Sequence, residues 1–157
     1  MTMSIEEGIK AIAEGKFSKY GFVLDDAAGI DTKVDMVDLP AIAVYLVEDG
    51  SLTFKNGKVK DSCLVFMAFI DKVDRDADGM DNVAVYQRMK EVAKRFIKAV
   101  NESGFFEPVD VASYQGVYEM MSSNVSGVLL QCQLKEAVGS CVVESDDDRG
   151  GAEQDSE

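Results

Sequence analysis

The feature that most constrains the fold is an unbroken apolar segment that lies shortly before a long amphipathic helical pattern. The segment reads Cys63-Leu64-Val65-Phe66-Met67-Ala68-Phe69-Ile70. Its apolar residues do not alternate with polar ones, which predicts a strand over 59–70 that is covered on both faces. We expect the helices of the domain to cover one face, and the other face is a candidate for contact with another subunit. The segment is far shorter than the ~20 residues that a membrane-spanning helix needs.

Two helices are predicted. The first, over 4–16, begins with Ser4 and Glu7 at the spacing of a capping box, and its isoleucines recur on one face. The second, over 82–102, carries an apolar stripe on one side and charged residues on the other. Gly104 follows it and suits the left-handed conformation often found just after a helix. The stripe consists of Tyr86, Met89, Ala93, Phe96, Ile97 and Val100.

The remaining segments read as strands and turns. Asp49-Gly50 predicts a hairpin and Asn56-Gly57 a second tight turn, whereas the acidic stretch 25–38 is predicted to be a loop. Together these patterns predict an α+β domain with a mostly antiparallel sheet of about five strands, on which the N-terminal helix and the long amphipathic helix pack. The predicted strands are 41–47, 52–54, 59–70, 108–120 and 126–135, and the segments 20–24 and 138–143 are candidates for further short strands.

The chain divides into a single domain over 1–143 and an acidic segment over 144–157. The 157 residues suit one domain of ordinary size. The final segment contains seven acidic residues, one arginine and no apolar residue larger than alanine, which predicts a disordered, solvated tail. We expect its deletion to change the free energy of unfolding by well under ~1 kcal/mol.

Composition excludes several classes of function. The net charge of −13 disfavours a direct grip on nucleic acid or an anionic membrane. The chain has no histidine and no nucleophile beside a base, so we expect no enzyme. We assign no catalytic residue and no cofactor. The three cysteines, Cys63, Cys132 and Cys141, are an odd number and indicate free thiols in a reducing compartment, two of them buried in apolar strands.

One local motif suggests a metal. Asp74-Arg75-Asp76-Ala77-Asp78-Gly79 matches the first six positions of a calcium loop. The twelfth position is Val85, where the bidentate glutamate should stand, so we expect poor calcium affinity and assign no metal ligand. The competing interpretation is that Asp78 or Asp81 caps the following helix. A small acidic calcium- or ligand-binding module that uses 74–79 remains the alternative function, and a calcium titration would detect it.

Four residues near a sheet edge are predicted to pack in the core, although such residues are also common at protein interfaces. They are Tyr114, Tyr118, Met120 and Met121. An acidic inhibitor that imitates DNA would need carboxylates spaced like phosphates along one face, and the sequence has no such array outside 144–157.

The order of elements resembles the tail-terminator and tail-completion (head-tail joining) proteins of tailed bacteriophages. The resemblance lies in the arrangement of a helix, a hairpin, an amphipathic helix and a closing hairpin. The segments that carry it are 39–45, the strand 62–70, the helix 82–102, and Phe106-Glu107-Pro108-Val109 through Ser126-Gly127-Val128-Leu129-Leu130.

This resemblance implies a structural function. Members of the family form rings, usually hexamers, that end the tail tube and join it to the head. The implied partners are further copies of the chain, tail-tube proteins and neck or connector proteins, with DNA as passing cargo and no membrane. The implied location is the virion, after assembly in the bacterial cytoplasm. An acidic surface suits a lumen through which DNA slides, and we expect association through strand edges and the strand 59–70.

Overall fold

A computed structural model describes residues 3–121 and 123–142. Within them the chain forms three α-helices, one short 3₁₀ helix and a mixed sheet of seven strands, so the α+β class is confirmed. The helices are α1 (Ile5–Lys16), α2 (Ala27–Lys33) and α3 (Gly79–Glu102), and the 3₁₀ helix is Val34–Met36. The strands are β1 (Gly21–Asp25), β2 (Ala41–Tyr45), β3 (Gly50–Lys55), β4 (Lys58–Lys72), β5 (Ser113–Met120), β6 (Val125–Lys135) and β7 (Ser140–Cys141).

The sheet is organised around β4, which is 15 residues long. Five strands lie side by side in the order β1-β2-β4-β6-β5. The other two strands pair with the first part of β4. Strand β3 lies on the same edge of β4 as β2, and β7 lies on the same edge as β6. The sheet therefore has seven strands rather than about five, because β4 is long enough to pair with two successive strands on each edge. Of the six pairings, only that of β1 with β2 is parallel.

The predicted hairpin at Asp49-Gly50 is wrong. Both β2 and β3 run antiparallel to β4 on the same edge, so residues 46–49 link two strands that follow one another. The amide of Leu64 donates to the carbonyl oxygen of Asp49 over 3.0 Å and holds this link against β4. The prediction for Asn56-Gly57 is confirmed, since both residues have positive φ, 55° and 77°, and they join Lys55 to Lys58.

The stretch 25–38 is not a loop, because it contains α2 and the 3₁₀ helix. Asp26 caps α2 by accepting a hydrogen bond from the amide of Gly29 over 2.7 Å. Ile30 and Val34 are fully buried and pack in a cluster with Ala68 and Ile70 of β4. This part of β4 is therefore covered on its second face by the chain itself, which corrects the expectation of a subunit contact there.

The first face of β4 packs against α1 and α3, as predicted. Phe96 of α3 lies between Phe69 of β4 and Phe17, with ring centroids 5.7 and 5.1 Å apart. The alternation along β4 assigns Val65, Met67 and Phe69 to this core. Cys63 and Cys132 are free and buried in the same core, and burial raises the pKa of the Cys132 thiol to about 11. Cys141 is free and exposed.

Helix boundaries follow their caps. The capping box of Ser4 and Glu7 is present at the start of α1. The long helix begins at Gly79 rather than at residue 82, because Asp78 and Asp81 form a second capping box. No helix in the described parts of the chain is long and apolar enough to cross a membrane. The predicted acidic tail over 144–157 lies outside the described residues.

We predict that Gly127→Ala is strongly destabilising and that Gly15→Ala is not. A Cβ atom at residue 127 would lie 1.9 Å from the carbonyl oxygen of Phe69, so the central β4–β6 pair would have to move. We expect a loss of at least about 2 kcal/mol in the free energy of unfolding, measured with urea. Gly15 lies in α1 with nothing within 4 Å of its Cβ position, and alanine there should add about 0.5–1 kcal/mol. Equal stability of the two variants would contradict the register of β4 with β6.

Candidate interaction surface

The outermost strand β5 and the adjoining side of α3 carry a group of exposed aromatic and apolar side chains. Tyr114, Tyr118 and Met120 are 51%, 47% and 50% exposed. Together with Tyr86 and Lys90 of α3, they form what we call the outer-strand surface. The prediction that the tyrosines and Met120 pack in the core is wrong, because β5 ends the strand order and has no further strand beyond it among the described residues. Met121 is half-buried and packs against the second core.

Tyr86 is the centre of this surface. Its ring centroid lies 6.3 Å from that of Tyr114 and 5.9 Å from that of Tyr118. The ammonium group of Lys90 stands 4.9 Å from the Tyr86 centroid and 5.2 Å from the Tyr114 centroid, within the range of a cation–π contact. Tyr86 and Lys90 are four residues apart on one helix, a spacing that brings side chains together. That spacing is the sequence signal from which this contact could have been predicted.

A cavity of about 310 Å³ opens beside the tyrosines, between α3 and the sheet. Its floor is apolar, and two lysines stand at its rim. An apolar floor with a cationic rim suits a side chain from another protein that is apolar along its length and acidic or polar at its end. The lining residues are Lys90, Ala93, Lys94, Ile97, Ala112, Tyr114, Val128 and Leu130.

The cluster changes the acidity of its members. The Tyr86 hydroxyl, with Lys90 beside it, lowers the pKa of Tyr114 from its ordinary value because both stabilise the phenolate. The same contact with Tyr86 raises the pKa of Lys90, since it favours the ammonium form. Tyr114 is exposed and Tyr86 and Lys90 are only half-buried, so the contacts orient side chains more than they stabilise the fold.

A buried polar network shapes the end of β5. Ser126 is fully buried, donates to Asn82 Oδ1 over 2.6 Å and accepts a hydrogen bond from the Glu119 amide over 2.9 Å. Asn82 also donates to the carboxylate of Glu119 over 2.7 Å. Glu119 has φ of 52° and lies within the register shift between Val117 and Met120. The network therefore ties the irregular end of β5 to the first turn of α3.

The calcium-like segment serves the start of α3. The Asp78 carboxylate accepts a hydrogen bond from the Asp81 amide over 2.8 Å, which confirms the capping interpretation. Across 3–121 and 123–142, no group of three or more His, Cys, Asp or Glu side chains is placed to hold a metal ion. No metal ligand was assigned to 74–79 from the sequence, and the described residues of this segment form no set of ligands for a calcium ion.

Comparison of the sequence with models of protein families and with curated proteins found no match. The resemblance to tail-terminator proteins thus rests on the order of elements and stays a prediction.

We predict that Ser126→Ala destabilises the protein while Ser113→Ala does not. Loss of the Ser126 hydroxyl leaves the Asn82 oxygen and the Glu119 amide without their buried partner, which costs ~1–3 kcal/mol. Ser113 is exposed on the same strand pair, and its change should stay within about 0.5 kcal/mol. Urea unfolding of both variants measures the difference, and a neutral Ser126→Ala would show that the network does not hold β5.

We predict that Lys90→Met raises the pKa of Tyr114, because it removes the cation that stabilises the phenolate. Ultraviolet absorbance of phenolate against pH should show the earliest tyrosine transition moving to higher pH. Lys98→Met is the matched control, since Lys98 lies on the same helix and pairs with Glu102. A titration curve unchanged in Lys90→Met, or equally shifted in Lys98→Met, would contradict the geometry of the cluster.

Proposed function

We propose that this protein is a structural subunit of a phage-like tail or neck, which forms a ring that terminates the tail tube and joins it to the head. The observation that carries the proposal is the outer-strand surface. Half-exposed tyrosines and methionine beside an outer strand have the composition of protein–protein interfaces. The order of elements, which resembles tail-terminator proteins, supplies the assembly in which such a surface would act.

A ring requires two different contact surfaces on each subunit. In a head-to-tail ring, one surface of a subunit contacts the other surface of the next subunit. The strand order supplies β5 at one side of the sheet and β1 at the other. Beside β1 lies a groove of about 550 Å³. Met36 in this groove is 76% exposed, and Phe22 and Leu24 of β1 contribute apolar surface. We propose that the outer-strand surface of one subunit contacts the β1 groove of the next.

The charge of the chain fits the proposed passage of DNA. With a net charge of −13, most of the surface repels phosphate, so DNA can slide past without binding. Tail-tube and connector proteins are the further partners in this proposal. Genes for capsid, portal or tail-tube proteins beside the gene for this chain would support it.

Native mass spectrometry and electron microscopy test the proposal together. We expect annular particles of the native chain, and their loss in Tyr118→Glu, because a buried carboxylate would oppose the contact. Leu52→Glu is the matched control. Leu52 is 59% exposed on β3, which pairs with neither β1 nor β5, so this variant should still form rings.

Thermal melting of both variants separates lost assembly from lost folding. A native chain that stays monomeric at high concentration and in the presence of tail tubes would contradict the proposal. Rings that survive Tyr118→Glu but not Leu52→Glu would place the contact on β3 instead.

A further inference from the structure

Four lysines lie together on one face of the sheet, three of them on the hairpin formed by β3 and the first part of β4 and the fourth on β6. Lys55 stands directly opposite Lys58, and Thr53 is opposite Lys60. On the other edge of β4, Lys135 is opposite Ser62, which places it on the same face. We call Lys55, Lys58, Lys60 and Lys135 the lysine face. They line a groove of about 440 Å³ together with Thr53, Asn56 and Gly139.

This concentration of cations is unexpected in a chain with a net charge of −13. Like charges directly opposite one another across two strands are destabilising. Of the four lysines, only Lys60 forms an ion pair with a described residue, Glu107, at 3.1 Å. Lysine often protects an outer strand from pairing. That role accounts for Lys55 on β3, but not for Lys58, which lies where β4 pairs with β3 on one edge and with β7 on the other.

The described chain ends beside the lysine face. Strand β7 pairs with the first two residues of β4, and Cys141 is the register partner of Lys58. Val142 is the last residue that the structure describes. The sequence then continues into 144–157, with its seven acidic residues and one arginine. The last described residues therefore lie next to the lysines, and a segment of the length of 144–157 spans about 45 Å when fully extended, at ~3.3 Å per residue.

We propose that the lysine face is the docking site of the acidic segment 144–157 of the same chain. Charge complementarity and the point where the described chain ends both favour this occupant over any other anion. Tethering gives the segment an effective concentration in the millimolar range, on the order expected for short linkers. The contact is made at the surface, where each ion pair contributes little and salt screens it.

The consequence is that the segment competes with other polyanions for the one concentrated basic groove on the hairpin. Docking of this kind contributes little to stability, which agrees with the small effect expected for deletion of 144–157. The inference does not depend on the proposed function, because it concerns a surface distant from β1 and β5.

Paramagnetic relaxation tests the proposal in the full-length chain. A spin label is placed at Gly150→Cys in a Cys141→Ser background, in which Cys63 and Cys132 stay buried. At low salt we expect the label to broaden the amide signals of 53–60 and 135–139. The broadening should disappear in about 1 M salt, where the Debye length is about 3 Å. It should also disappear when Lys55, Lys58 and Lys135 are changed to glutamine.

A matched control separates charge from tethering. In it, the seven acids of 144–157 are changed to their amides, which keeps the length but removes the charge. If the label broadens the amide signals of the lysine face as much in this control as in the native sequence, the proposal is overturned. Broadening found only when spin-labelled chains are mixed with isotope-labelled ones would overturn it too, because the segment would then dock on a second copy.

Binding of a fluorescent DNA duplex gives an independent readout. We expect the full-length variant with amides in place of the seven acids to bind the duplex more tightly than the native chain, and the triple glutamine change to abolish that difference. Equal binding by the amide variant and the native chain would show that the segment does not occupy the lysine face.

Discussion

The pairing of β4 on both edges is the interaction on which the rest of the structure depends. It pairs with β6 through the eleven residues from Ser62 to Lys72 and with β2 and β3 on its opposite edge. These ladders satisfy the backbone of the longest strand, which allows its apolar side chains to be buried on both faces. The alternation along β4 then determines which side chains meet α1 and α3 and which meet α2.

Strand β4 extends beyond the part that the helices cover, so its two ends have different surroundings. The part from Met67 to Ile70 is buried on both faces and anchors the two cores. The part paired with β3 extends beyond them, and Leu52 and Phe54 opposite it are 59% and 67% exposed. The lysine face lies on this extended part. The length of one strand thus separates the folding core from an exposed surface rich in lysine.

Local signals in the sequence predicted local structure well. The capping box of Ser4 and Glu7 and the turn at Asn56-Gly57 depend only on neighbouring residues, and both are present. The covered strand and the apolar stripe of α3 were predictable for the same reason. Helix α2 was not predicted because it is only seven residues long and contains Gly29, and the burial of Ile30 and of the adjoining Val34 stabilises it more than its local sequence does.

Strand order and the candidate surface depend on residues far apart in sequence, and these were not predictable. The hairpin interpretation of Asp49-Gly50 was reasonable locally, but the pairing of β2 and β3 with β4 overrides it. The exposure of Tyr114 and Tyr118 follows from the outer place of β5, which no pattern within β5 reveals. The lysine face likewise combines residues about 80 positions apart, and only the register brings Lys135 to the hairpin.

If β4 holds a rigid core and leaves β5 available for association, the two strands should differ in hydrogen–deuterium exchange. Peptides 63–70 and 113–120 are compared between dilute and assembled protein. We expect the amides of 63–70 to exchange slowly in both samples and those of 113–120 to gain protection only on assembly. Rapid exchange at 63–70, or assembly without added protection at 113–120, would contradict this expectation.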